Sequence, residues 1–125
     1  MFEDSAAFSG FAVDDMPKAK RFYGETLGLK LTDAPEFGLV NLHIAGGRDV
    51  LIYPTRHHVP AGYTILNFPV ADIDAAVDEL TRRGVVLERY EGFDQDDKGV
   101  LRGDGPLIAW FKDPAGNVLS VLQSS

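Results

Sequence analysis

Three histidines, His43, His57 and His58, and the carboxylate-rich run FDQDDKG at 93–99 have the side chains needed to hold a metal or move a proton. His57 and His58 are adjacent in PTRHHVPAG, and neighbours in an extended segment point to opposite sides, so they read as solvated loop residues. His43, in NLHIA, stands alone and reads either as a hydrogen-bonded structural residue or as a ligand contact. FDQDDKG lacks the glutamate and flanking helices of a calcium loop and reads as a solvated stretch. Glu36 and Glu88 could serve as a base at the rim of a pocket, but no motif pairs either with a partner. The chain has no cysteine, which excludes disulfides, thiolate metal sites and a thiol nucleophile. It also contains no G-x-S-x-G elbow, phosphate-binding loop or dinucleotide fingerprint.

The elements that must position these residues follow one plan, used twice. FAVDDM at 11–16 and FPVADI at 68–73 stand 57 residues apart, and each is an apolar strand ending at an aspartate. Asp15 and Asp72 suit a helix N-cap, where a carboxylate accepts from free backbone N–H groups. Met16, Ala19, Tyr23 and Leu27 then form one helical stripe, and Ile73, Ala76, Val77 and Leu80 form another. Gly28 and Gly84 stop the two helices. Strand-like runs follow: LKLTD, GLVNLHIA and DVLIYPT in the first half, VVLERY, LIAWF and NVLSVL in the second. GGRD at 46–49 and DPAGN at 113–117 are turns before each last strand. The polar, glycine-rich segment 91–105 reads as a mobile loop.

Alternation assigns the faces. Phe11, Val13, Leu66, Phe68 and Val70 belong under the helices, whereas Phe8, Gly10, Ala12, Ile65, Asn67 and Pro69 point the other way. The expected fold is α+β: two βαβββ modules, about 6–56 and 63–123 of a single domain spanning 1–125. They would form a cupped, mostly antiparallel eight-stranded sheet with helices on the outer face.

FAVDDMPKAKRFYGETLGLKL, FPVADIDAAVDELTRRGV and WFKDPAGNVLSV together resemble the vicinal oxygen chelate superfamily, the glyoxalase/bleomycin resistance protein/dioxygenase group. The resemblance spans nearly the whole chain. It implies a cup in which enzymes of the group hold one divalent metal with four His or Glu side chains, two per half. The matching positions here are Phe8 and Ile65, then Ile52 (or Tyr53, one residue on) opposite Ser120. Phe and Ile have no donor atom and a neutral hydroxyl is a poor ligand, so no metal and no other cofactor is expected.

What remains is an apolar cup with few polar groups, the composition of a small-molecule pocket. Its expected ligand-binding residues are Phe8, Ile52, Ile65, Asn67, Trp110 and Ser120, with His43 as a further contact. The formal net charge of −7 argues against nucleic acid, and no apolar run approaches a membrane span. A cytoplasmic homodimer binding a small, partly apolar or aromatic molecule is the leading expectation. A metal-dependent lyase or isomerase of glyoxalase type, or a dioxygenase-like enzyme, with displaced ligands is the alternative. An interaction module without a small ligand is a third.

Overall fold

In the computed structural model, which describes residues 1–103 and 105–124, the chain divides into two units, Met1–Val59 and Pro60–Ser125. Asp104, in the segment expected to be a loop, lies outside the described residues.

In the first unit, strands β1 (Ser9–Val13), β2 (Lys30–Ala34), β3 (Leu39–His43) and β4 (Val50–Pro54) form one sheet in the order β1-β4-β3-β2. β1 runs parallel to β4, and the other two pairings are antiparallel. The Lys18 backbone N–H donates to the Asp15 carboxylate at 3.0 Å, which starts helix α1 (Met16–Lys20), with Pro17 in its first turn. The helix then widens into a π-helical segment, Arg21–Thr26, in which the Leu27 N–H reaches the Phe22 carbonyl at 2.9 Å. The wider turn interrupts the regular stripe: Ala19 and Tyr23 are buried, but Met16 and Leu27 only partly. Tyr23 packs against Phe11 with ring centroids 5.6 Å apart, which fixes the helix side of this sheet.

In the second unit, β5 (Thr64–Pro69), β6 (Leu107–Lys112) and β7 (Val118–Gln123) form a sheet ordered β5-β7-β6. β5 runs parallel to β7, and β6 antiparallel. Helix α2 (Ile73–Arg82) begins at Asp72, which accepts from the Ala75 N–H at 3.2 Å. The Ile73 N–H donates to the Gln123 side chain at 2.8 Å, tying the helix start to the end of β7. Ile73, Val77 and Leu80 are buried from α2, and Ala109, Phe111, Leu119 and Val121 are buried from β6 and β7. This is the alternation expected when a helix covers one face of a sheet.

The α+β class and the paired plan are present, but the eighth strand is not formed among the described residues. VVLERY makes a single bridge, Leu87 to Phe111, with the Glu88 N–H on the Trp110 carbonyl at 2.7 Å. Further along β6 the Ile108 carbonyl is taken by the Leu101 N–H at 2.8 Å, while the Tyr90 N–H turns to the Gln95 side chain at 2.8 Å. Two distant segments share one strand edge, so neither extends. The segment expected to be a mobile loop is therefore folded back on β6, with Leu101 bridging both Gln95 and Ile108. Among the described residues no helix is long and apolar enough to cross a membrane.

The turn between β6 and β7 is organised by Asp113, only 4% exposed. Its carboxylate accepts from the Ala115 and Asn117 N–H groups and from the Asn117 side chain, each at 2.9 Å. Gly116 takes φ 87°, a conformation that costs glycine little. Asp113→Ala leaves these donors without their acceptor and should lower stability by about 2–3 kcal/mol, read from the urea midpoint. A midpoint unchanged from wild type would refute this account of the turn.

Candidate functional site

Three of the residues expected in the pocket meet on the face of the second sheet opposite α2. Asn67 and Trp110 are the ladder partners of Ser120 on either side, so all three project from the same face. Ser120 is fully buried, and its hydroxyl donates to the Asn67 side-chain oxygen at 2.6 Å. The hydroxyl hydrogen expected to meet a ligand is thus committed to Asn67. Ile65 is unpaired, at the irregularity of β5 between Thr64 and Leu66.

In the first unit the expected residues are less collected. Phe8 precedes β1 and is 72% exposed, in a hollow that also includes Leu39, Asn41 and Leu51. His43 lies on the face away from the helix, its Nε2 2.5 Å from the Thr32 hydroxyl and its Nδ1 3.0 Å from Asp49. Both ring nitrogens are engaged, as in a structural histidine. Ile52 requires a correction. It pairs with Phe11 and Val40, is fully buried, and belongs to the helix side. The turn before the strand carries no periodic signal, so matching GGRD to DPAGN displaced the last strand by one residue. Pairing with the first strand of each unit sets the true match: Gly10 faces Leu51 as Asn67 faces Ser120. Leu51, not Ile52 or Tyr53, is the counterpart of Ser120. Glu36 is exposed in a short 3-10 turn, Pro35–Phe37, His57 is exposed, and His58 is partly buried.

A cavity of about 600 Å³ lies wholly in the second unit over Trp110. Tyr90 and Phe93 complete an aromatic wall with it. Ring centroids are 5.5 Å apart for Tyr90–Trp110, 5.4 Å for Phe93–Trp110 and 5.9 Å for Tyr90–Phe93, in edge-on or tilted contacts. Tyr63, Thr64, Lys112 and Val118 also line it. The Lys112 ammonium sits 3.5 Å from the Glu88 carboxylate. Burial pushes the Tyr90 phenol up and Glu88 adds to this, against a smaller opposing effect of Lys112. The phenol therefore stays protonated at neutral pH and can donate a hydrogen bond.

The wall owes its shape to the folded-back segment. Gln95 accepts from the Tyr90 N–H at 2.8 Å and donates to the carbonyls of Glu88 at 3.0 Å and Gly99 at 2.7 Å. Asp96 accepts from the Lys98 and Val100 N–H groups, each at 2.9 Å, and from Arg102 at 2.8 Å. Burial raises the Asp96 carboxyl, but these bonds outweigh it and hold it below its ordinary value. Arg102 also donates to Asp74 at 2.6 Å, and Lys98 stands 3.0 Å from Asp78, fastening the segment to α2. Of this machinery, Tyr63, Tyr90, Phe93, Gln95 and Lys112 were not singled out by sequence reasoning. The available signal was three aromatics in otherwise polar, glycine-containing stretches.

Two units of strand, helix and further strands, each with a sheet face turned away from its helix, define a paired-module α+β protein. The chain belongs to the Glyoxalase/Bleomycin resistance protein/Dioxygenase superfamily, whose family model matches residues 6–121. Among solved structures it is similar to TnmS3, an antibiotic binding protein from Streptomyces sp. CB03234, at 27% identity, covering 96% of this chain and 97% of that one, with a TM-score of 0.72. A glyoxalase/bleomycin resistance protein from the same organism matches at 27% identity, with coverage of 94% and 100% and a TM-score of 0.66. A genomically encoded fosfomycin resistance protein, FosX, from Listeria monocytogenes shares the fold at 17% identity, with coverage of 97% and 93% and a TM-score of 0.69. No curated protein sequence matches the chain.

The superfamily's enzymes imply a metal, and the residues here do not fit one. With the corrected register the ligand positions are Phe8 and Leu51 in the first unit and Ile65 and Ser120 in the second. Three are hydrocarbon, and the hydroxyl of the fourth is bonded to Asn67. Among the described residues no three His, Asp or Glu side chains are grouped to hold an ion.

Gln95→Leu should free the segment carrying Tyr90 and Phe93 while α2 and the sheet persist. The expected result is faster exchange of the Tyr90 amide hydrogen and stronger acrylamide quenching of Trp110, the only tryptophan in the chain. Exchange and quenching equal to wild type would show that Gln95 does not hold the wall.

Proposed function

We propose that this protein binds a small, planar and partly apolar molecule against the aromatic wall of its second unit, without a metal. The observation that carries the reading is the cavity over Trp110. It has stacking surfaces from Tyr90, Phe93 and Trp110 and a small number of polar groups at Thr64, Tyr90 and Lys112. Aromatic side chains give large contact area at low entropic cost, and a few polar groups fix orientation. The similarity to an antibiotic binding protein over nearly the full length of both chains supports the same direction. Asn67, bonded to Ser120 on the same sheet face, is a further polar contact in this reading. The hydrocarbon side chains at the ligand positions support the metal-free part.

Thermal shift against a panel of antibiotics, aromatic metabolites and thiol conjugates tests the reading, because a ligand that binds only the folded state raises Tm. Planar aromatic members should stabilise the protein, and Trp110→Ala should weaken their binding about tenfold through lost stacking. No stabilisation by any aromatic member, or binding indifferent to Trp110, would overturn it. Elemental analysis of purified protein should find no stoichiometric zinc, nickel, iron or manganese. One equivalent of any of them would instead favour a metalloenzyme.

We also propose a homodimer. Tyr53, Tyr63, Phe8 and Phe37 leave large apolar surface exposed on a short chain. Sedimentation at low micromolar concentration should give twice the 13.7 kDa chain mass, and a 13.7 kDa species alone would rule the dimer out.

A further inference from the structure

We propose that the cavity over Trp110 selects planar aromatic molecules bearing an anionic group, and that Lys112 is the residue that reads that group. This rests on the binding reading above and adds the chemical class of the ligand. Among the described residues, Lys112 is the one charged side chain that lines the cavity. Its ammonium has three N–H donors. Glu88 stands 3.5 Å from it but does not line the cavity, so the carboxylate backs the ammonium at the edge of the cavity. The Tyr90 phenol, held neutral by burial and by Glu88, supplies a second donor on that wall rather than a competing negative charge.

The alternative class is a cation held by ring faces, and the Lys112 ammonium in the same lining opposes it. Attraction of a cation to a ring needs the charge over an open ring face, within about 6 Å of the centroid. Here Tyr90, Phe93 and Trp110 meet one another at centroid distances of 5.4–5.9 Å in edge-on or tilted contacts that cover part of their ring faces. A cation entering beside that wall would also meet the Lys112 ammonium. A flat ring stacked on the wall, with a carboxylate or phenolate turned to Lys112, satisfies both features. The net charge of −7 acts against anions only at long range, and salt screens that effect within about 10 Å.

Calorimetric titration of the intact protein with naphthalene-2-carboxylate, 2-naphthylmethylammonium and neutral 2-naphthamide tests the proposal. The carboxylate should bind about tenfold more tightly than the ammonium compound, the amide falling between them. Lys112→Gln should bring the three within about twofold of one another. Glu88→Gln, which removes the opposing charge, should strengthen the carboxylate and weaken the ammonium compound. Tightest binding by the ammonium compound, or a carboxylate preference retained in Lys112→Gln, would overturn the inference while leaving the stacking site in place. If none of the three binds, both the inference and the stacking site fall.

Discussion

The parallel pairing of β5 with β7 is the constraint on which the second unit depends. Because alternate residues of a strand face opposite sides, setting Phe68 beside Val121 beneath the helix also sets Asn67 beside Ser120 on the far side. Trp110 follows, since it is the antiparallel partner of Ser120. A slip of one residue between β6 and β7 would turn the tryptophan toward α2 and bring Phe111 out to the open face. The buried set Ala109, Phe111, Leu119 and Val121 opposes that slip, because exposing it would forfeit roughly 1.5–3 kcal/mol for each large side chain. The helix-side core thereby places the residues of the opposite face.

The same unit gains its pocket by leaving a sheet unfinished. A full eighth strand would have covered the edge of β6 from Leu87 onward. Instead Leu87 and Leu101 occupy that edge one after the other, and the chain between them rises as a folded segment carrying Tyr90 and Phe93. Buried backbone groups in such a segment need partners, and Gln95 and Asp96 supply them. The ion pairs from Lys98 and Arg102 to Asp74 and Asp78 are exposed and individually weak. They orient the segment on α2, while the half-buried amide network holds its shape.

The first unit uses the same plan to a different end. Its far face carries His43 between Thr32 and Asp49, and its ladder puts Leu51 where the second unit has Ser120. Both His43 ring nitrogens are taken by Thr32 and Asp49, and Leu51 has no donor atom, so neither supplies the several free ligands that offset the water a divalent ion sheds. One scaffold can carry metal chemistry or none, according to what stands at a few strand positions.

The amino-acid sequence by itself determined the paired plan, the capping aspartates at Asp15 and Asp72, the turn at 113–117, and the opposite faces of Leu119 and Ser120. Each of these is a local property: a spacing, a cap or an alternation that holds within a few residues. It also put Phe8, Ile65 and Ser120, none of them a usual metal ligand, at positions matching the superfamily's ligand set, with Ile52 where pairing puts Leu51. Tertiary structure alone decided the match of Leu51 to Ser120, because register across a turn comes from pairing with a distant strand. It alone decided that VVLERY stops after one bridge, since the competing partner, Leu101, lies 14 residues further along. And it alone assembled the wall, because Tyr90, Phe93 and Trp110 share no periodicity. What joins them is the set of hydrogen bonds Gln95 makes with backbone groups that only the folded chain brings within reach.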